Sequence, residues 1–258
     1  MTADKPPVKP DLTRESLKQP VRNLGLALTD AQLDAMLAYL GLIQKWNKVY
    51  NLTAVRDPAE MLTLHLLDSL AVVPPLKQRL AAMAYAMDGA DETTAPESEE
   101  RKPQPGESYA SKELFRLLDV GSGAGLPGIV IAICCPEVAV DCVDTVAKKA
   151  AFINQVAVTL KLPNLRGIHA RVENLAEKSA VKYHVISSRA FASLLDFTAL
   201  SANALGEQGV WLAMKAKRPA DEMAALPKSV EVFHVEQLKV PGLDAERCIV
   251  WIRKSGSV

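Results

Sequence analysis

Three features of the sequence could carry chemistry. A glycine cluster, Gly121, Gly123 and Gly125, follows Leu118-Asp119; an acid, Asp144, lies about 20 residues further on; and an arginine, Arg189, ends a later apolar run. Glycines let the chain turn sharply and bring a ligand close to main-chain N–H groups. A loop that opens a helix adds the free donors of a helix N-terminus. A carboxylate at a strand end can accept both hydroxyl hydrogens of a ribose. A guanidinium can grip a carboxylate or a phosphate with two parallel hydrogen bonds. Together these types point to a ligand with a nucleoside part and a charged part.

The glycine spacing narrows the ligand. It reads G-x-G-x-G, and Leu126 stands where the third glycine of a dinucleotide fingerprint belongs. No Gly-Lys-Ser/Thr follows, so a P-loop is excluded. Preceded by Leu-Asp, the loop looks like the S-adenosylmethionine (SAM) loop of class I methyltransferases. SAM has no pyrophosphate, so such a loop packs beside its adenosine and amino-acid ends. Asp144 supports a nucleoside without choosing between SAM and NAD. Its alternative role is the N-cap of the next helix, and Asp141 is its competitor. Ala170-Arg171-Val172-Glu173 follows the third apolar run, where the adenine edge is flanked in this fold class. Glu173 could instead simply open the following helix.

These residues need a scaffold, and the hydrophobic pattern supplies one. Residues 114–120 read as a buried strand and residues 126–135 as a helix stopped by Pro136. Residues 138–144 form a second strand, 145–160 a helix with Lys148 and Lys149 exposed, and 165–169 a third strand. Residues 183–191 are a fourth strand running into a loop. That puts Ser188 and Arg189 at the carboxyl edge, where open α/β sheets bind ligands. Residues 208–215 are a fifth strand, with Lys215, Lys217 and Arg218 as a basic rim. Residues 230–240 and 247–253 read as a closing antiparallel pair joined through Pro241-Gly242. The expected fold is therefore α/β: a Rossmann-like, mostly parallel seven-stranded sheet with helices on both faces. His169, His184 and His234 fall within strand patterns and read as structural.

Ahead of this lies a helical extension. Thr29 and Gln32 form a capping box before Leu33, Met36, Leu37, Leu40, Ile43 and Trp46 at helical spacing. Asp57, Pro58 and Glu60 start a second helix with Met61, Leu64, Leu67 and Leu70 inside, and Pro74-Pro75 is expected to stop it. Residues 45–53 interleave basic, amide and aromatic side chains. Lys45, Lys48 and Asn51 are therefore candidates for RNA contact, though a helix C-terminus with a turn asparagine explains the pattern more simply. His65 and Asp68 share a helix face and read as a local hydrogen bond rather than a catalytic dyad. The expected boundaries are a tail and lead-in at 1–27, the helical extension at 28–87, an acidic flexible insertion at 88–113 and the SAM-binding domain at 114–258.

Composition sets outer bounds. The 258 residues are 49% hydrophobic, enough for a sizeable core. No run of about 18 uncharged apolar residues predicts a membrane span, and the polar N-terminus does not read as a secretory signal. Four cysteines in apolar runs match no zinc spacing, so buried thiols of a cytoplasmic protein, without a metal site, are expected. The formal net charge is zero, but residues 88–113 carry eight acids and three bases, which leaves the remainder at +5. A moderately basic body is compatible with a nucleic-acid partner.

Several long motifs occur in one order: KWNKVYNLTAVRDPAEMLTLHLLDSL, LLDVGSGAGLPGI, ARVENL, ISSRAFASL and VPGLDAERCIVWI. On these the chain resembles the bacterial small-subunit (16S) ribosomal RNA guanine-N7 methyltransferase G family, also called glucose-inhibited division protein B. The resemblance spans residues 28–253 apart from the acidic insertion, which is longer than the family usually carries. It implies a class I SAM-dependent fold with an N-terminal helical extension, and cytoplasmic action on 16S rRNA or the small-subunit assembly particle; separately, no membrane partner and a monomer are expected. Its SAM contacts fall on Gly121, Leu126, Val172, Glu173 and Arg189, with Asp144 in the usual ribose position; Gly123 of the same glycine loop is a further cofactor-binding candidate. Guanine N7 already exposes a lone pair, so no catalytic base is assigned. The rival readings are an NAD-dependent oxidoreductase and a non-enzymatic RNA-binding ribosome assembly factor.

Overall fold

The structure is a computed structural model that describes residues 12–87, 115–175 and 181–256. The tail expected at 1–11 and the acidic insertion at 88–113 lie outside the described residues.

The chain begins with a helix that the lead-in reading missed. Helix α1 (Arg14–Asn23) is closed by a reciprocal capping box of Thr13 and Ser16 and buries Leu17 and Val21. Its brevity and the internal Pro20 hide it from a periodicity reading. Helix α2 (Asp30–Tyr50) starts at the expected Thr29–Gln32 box and ends at Asn51, whose φ of 49° reverses the chain. Helix α3 (Pro58–Met61) is capped by Asp57 and continues through a π-helical segment, Leu62–Leu67, into α4 (Asp68–Leu70). Pro74 and Pro75 do not end the helical region. They fall in the first turn of α5 (Val73–Met87), where a missing N–H costs nothing. The run Pro58–Met87 is apolar enough, by length and composition, to cross a membrane; 67% of its most apolar window is buried inside the fold, so its apolarity serves packing.

The main domain is β1 (Phe115–Val120), α6 (Gly128–Cys134), β2 (Val138–Asp144), α7 (Ala147–Thr159), β3 (Leu165–His169), β4 (Tyr183–Arg189), α8 (Leu194–Ser201), β5 (Leu205–Lys215), α9 (Ala220–Ala224), β6 (Val230–Leu238) and β7 (Arg247–Lys254). The sheet order is β3-β2-β1-β4-β5-β7-β6, with β7 antiparallel to both β5 and β6. This is the class I methyltransferase sheet. The order reverses between β1 and β4, so a crevice opens at their carboxyl ends.

Strand alternation divides the core into two layers. Leu117 faces the helices of the extension together with Trp251, and Leu118 faces α8 together with Trp211. Burial on both faces explains why the strands read as continuous apolar runs. The extension and the sheet share one apolar layer, which includes Met36, Tyr39, Leu66, Ile129 and Phe152.

Candidate cofactor and substrate site

The glycine loop has the conformation its sequence demands. Gly121, Gly123 and Gly125 have φ of 67°, 59° and 86°, which L side chains rarely adopt. A Cβ on Gly121 would meet nothing within 4 Å, and one on Gly123 only the Gly121 carbonyl, at 4.0 Å. Open space therefore lies against the loop. On Gly125 a Cβ would strike Ile129 at 2.3 Å, so that glycine serves packing.

The expectation of free N–H donors in this loop holds only in small part. Gly121 donates to the Val143 carbonyl at 2.9 Å, and both Gly125 and Leu126 donate to the Ser122 carbonyl. Gly123 donates to Asp144 Oδ2 at 3.0 Å, and Gly128, first residue of α6, to Asp119 Oδ2 at 3.1 Å. Most of the loop is thus tied internally; the Ala124 N–H is left without a hydrogen-bond partner among the described residues. Leu126, expected to touch the cofactor, is buried and set back from the open side.

Beside the loop lies a cleft of about 370 Å³ at the carboxyl ends of β1, β2 and β3. Gly121, Asp144, Val172 and Glu173 line it, with Lys149 and Phe191. Of the expected cofactor residues these four converge, with Gly123 behind them. Phe191 was not anticipated; it packs on Phe197, at 5.6 Å between ring centroids, and gives the cleft an apolar wall. Asp144 also holds the backbone: besides Gly123 it accepts from Val146 N–H at 2.9 Å and from Lys149 at 3.4 Å. Lys149, expected to be exposed, is thus folded back. Asp141 is removed as a competitor, because Arg166 and the Tyr183 hydroxyl occupy its carboxylate. Glu173 sits in a short 3-10 turn (Val172–Asn174) and pairs with Arg171 at 3.6 Å.

Under the loop Asp119 is fully buried. It accepts the Ser187 hydroxyl at 2.9 Å and the Gly128 N–H. Burial outweighs those bonds and the charge of Arg189, and pushes the carboxyl up to about 7.

Arg189 ends β4, and Ala190 after it turns the chain at a φ of 61°. Arg189 Nη1 donates to the Leu64 carbonyl at 2.9 Å and to Asp68 Oδ2 at 3.3 Å. The other oxygen of Asp68 accepts from Arg247 Nε at 2.8 Å. The expected His65–Asp68 hydrogen bond is therefore replaced. His65 Nε2 instead meets the Thr53 hydroxyl at 2.7 Å, and its buried Nδ1 has no hydrogen-bond partner among the described residues. Burial, then the charge of Arg189, lowers the His65 pKa and keeps the ring neutral. The π-helical segment at Leu62–Leu67 orients both side chains, and such bulges are common at functional sites.

The comparisons with known proteins agree with this geometry. A family model described as rRNA small subunit methyltransferase G matches residues 32–84 and 106–250. The chain is 60% identical over 241 residues to the ribosomal RNA small subunit methyltransferase G of Albidiferax ferrireducens, covering 93% of this chain and 97% of that one. It is 59% identical over 238 residues to the protein of the same name from an Acidovorax species, covering 92% and 94%. The chain belongs to the rRNA small subunit methyltransferase G family. Among solved structures it is similar to TrmN from Thermus thermophilus, at 19% identity and a TM-score of 0.45, over 55% of this chain and 44% of that one. Neither the oxidoreductase nor the assembly-factor reading gains support.

For a methyltransferase G family member the basic candidates divide into two sets. Lys215 is committed to both oxygens of Glu222 at 3.0 and 2.8 Å, and is no free rim charge. Lys217 and Arg218 follow it, exposed. Lys45 and Lys48 are exposed on the last turns of α2, next to the exposed Val49 and Tyr50. Trp46 is not free to stack on a base, since it packs against Phe152 and Tyr50. The Asn51 amide oxygen accepts from Arg56 at 2.8 Å, the turn role. The Arg247–Asp68 pair beside Arg189 was not anticipated from the sequence; no local signal pairs residues 179 apart.

Proposed function

We infer that this chain transfers a methyl group from SAM to N7 of a guanine in 16S ribosomal RNA. The observation that carries the reading is the glycine loop: it is open on its outer side, while most of its N–H groups, those of Gly121, Gly123, Gly125 and Leu126 among them, are already used. A pyrophosphate needs such donors, and an adenosine with a sulfonium-bearing side chain does not. SAM supplies the electrophilic methyl group when bound.

The chain's own residues then bind and orient. Gly121 and Gly123 let the ligand lie against the backbone. Asp144 keeps lone-pair capacity beyond its three contacts and faces the cleft, which suits a ribose hydroxyl. Val172 and Glu173 flank the base, and Phe191 covers it. Arg189 has unengaged donors for the amino-acid carboxylate. Leu126 supports the loop from within. Guanine N7 needs no deprotonation, so the enzyme's task is alignment of acceptor and methyl group, with water kept away. The guanine must be unstacked to reach the edge. The exposed Lys45, Lys48, Lys217 and Arg218 would serve as phosphate contacts, and Asn51 shapes the turn after α2. The substrate is 16S rRNA, free or in a small-subunit assembly particle; the enzyme is cytoplasmic, monomeric and independent of membranes.

The test is single-turnover transfer from methyl-labelled SAM to 16S rRNA and to small-subunit particles, with mass mapping of the product. Labelled 7-methylguanosine at one position is expected. Absence of incorporation by a folded, SAM-binding protein would refute the activity, and NADH binding in place of SAM would refute the cofactor.

A further inference from the structure

Asp68 is 4% exposed, yet it faces two guanidiniums, Arg189 from β4 and Arg247 from β7. One carboxylate between two arginines leaves positive charge in excess. The surrounding groups are mostly committed elsewhere. Lys215, whose strand neighbour Cys248 adjoins Arg247, is neutralised by Glu222. His65 is held neutral by burial, and Asp119 lies beneath the glycine loop with its own donors. Asp244 and Glu246, in the loop before β7, are exposed and water-screened.

Donors remain on the two arginines. Arg247 uses Nε for Asp68 and Nη1 for the Glu246 carbonyl at 2.8 Å. Its Nη2, and the Nε and Nη2 of Arg189, have no hydrogen-bond partner among the described residues and are not enclosed. Both side chains are about one-fifth exposed, at 20% and 23%. The register sets them on one face of the sheet: Arg189 pairs with Met214 on β5, Met214 with Ile249 on β7, and Arg247 stands two residues before Ile249, toward the carboxyl edge. They share the sheet edge at which the methyl group is transferred.

We propose that Arg247 binds a phosphodiester of the RNA next to the target guanine, and that Asp68 is the positioning residue that aims it. A phosphate fits better than the base. An arginine on the Hoogsteen edge of guanine occupies N7 itself, the atom that must stay free, and would repel the cationic methylated product. A phosphate accepts the planar fork and balances the excess charge. Arg189 on the other Asp68 oxygen stays with the cofactor, so one carboxylate sets the spacing between donor and acceptor.

The proposal rests on the RNA-methyltransferase reading and is tested in the full-length protein. Arg247→Gln should raise the KM for RNA about tenfold, leave kcat and the SAM dissociation constant within about twofold, and lower the salt slope of RNA binding by about one. Arg247→Lys should restore the salt slope. Asp68→Asn frees both arginines, so it should raise the RNA KM and weaken SAM together while the salt slope stays. An unchanged RNA KM and slope in Arg247→Gln, with wild type active, overturns the proposal alone; inactive wild type overturns the underlying reading. A parallel loss of SAM affinity in Arg247→Gln also overturns it. Should that variant fail to fold, phenylglyoxal labelling of wild type decides: RNA, and not SAM, should protect Arg247, and equal labelling with and without RNA refutes the contact.

Discussion

Asp119→Asn should stabilise the fold at alkaline pH and remove a large part of its pH dependence. The carboxyl is fully buried and raised from 3.8 to about 7. Between those values the folded chain holds a proton that the unfolded chain has released. Stability therefore falls as pH rises, by about 1.4 kcal/mol per pH unit. From the unfolded value up to the folded one the loss amounts to about 4 kcal/mol, fully felt above about pH 7 and absent below about pH 4. Asparagine never ionises, and both neighbours can still be satisfied. Its Oδ1 takes the Gly128 N–H, and its Nδ2 donates to a Ser187 hydroxyl turned to accept. Urea denaturation of both proteins between about pH 4.5 and about pH 8.5 gives the difference directly, since every other titrating group cancels. That difference should grow steadily up to about pH 7 and then level off. Parallel curves, or a variant less stable than wild type at about pH 8, would show that Asp119 is ionised in the fold and that its two hydrogen bonds outweigh burial.

Asp144→Ala removes the acceptor for Gly123 and Val146 as well as the proposed ribose contact; calorimetry should show SAM binding weakened by about 1–3 kcal/mol, with a lowered Tm. An unchanged dissociation constant in the folded variant would move the ribose contact elsewhere. Joint neutralisation of Lys45, Lys48, Lys217 and Arg218 should flatten the salt dependence of RNA binding and spare SAM, and an unchanged slope would put the RNA on another face. Arg189→Lys keeps the charge and loses the fork; single-turnover transfer should drop by at least about tenfold with weaker SAM binding, and wild-type values would remove Arg189 from the site.

The sheet was legible in the sequence because β1, β2, β4 and β5 are buried on both faces and read as unbroken apolar runs. The glycine loop was legible in shape, since only glycine takes its three positive φ values cheaply. The use of its N–H groups was not, because their acceptors, Val143, Asp144 and Asp119, depend on how the β1 and β2 ends align. Pro74-Pro75 misled for a local reason: proline stops a helix in its interior and starts one in its first turn, and only the break at residues 71–72 decides between them. His65 and Asp68 stand three apart on a helical pattern, but a π-helical segment between them changes which side chains meet.

The division of the chain into an extension and a catalytic domain dissolves at the site. Tyr39 of α2 donates its hydroxyl to the Ala124 carbonyl of the glycine loop at 2.7 Å, and Gln32 donates to the Ile133 carbonyl of α6 at 2.9 Å. Asp68 of α4 holds Arg189 and Arg247, from the two strands that flank β5. Each is a polar bond between the extension and the main domain; those of Tyr39 and Asp68 lie at the carboxyl edge of the sheet, that of Gln32 at the far end of α6. Burying a carboxylate between two arginines carries a desolvation cost that an apolar contact would avoid. Packing alone would be served by leucines of the kind that surround it, Leu66, Leu67 and Leu70. A charged clasp instead fixes direction: it sets the angle of each guanidinium, which apolar contact cannot. On the proposed function, the Asp68 clasp would make the extension a partner in aligning cofactor and RNA rather than packing alone.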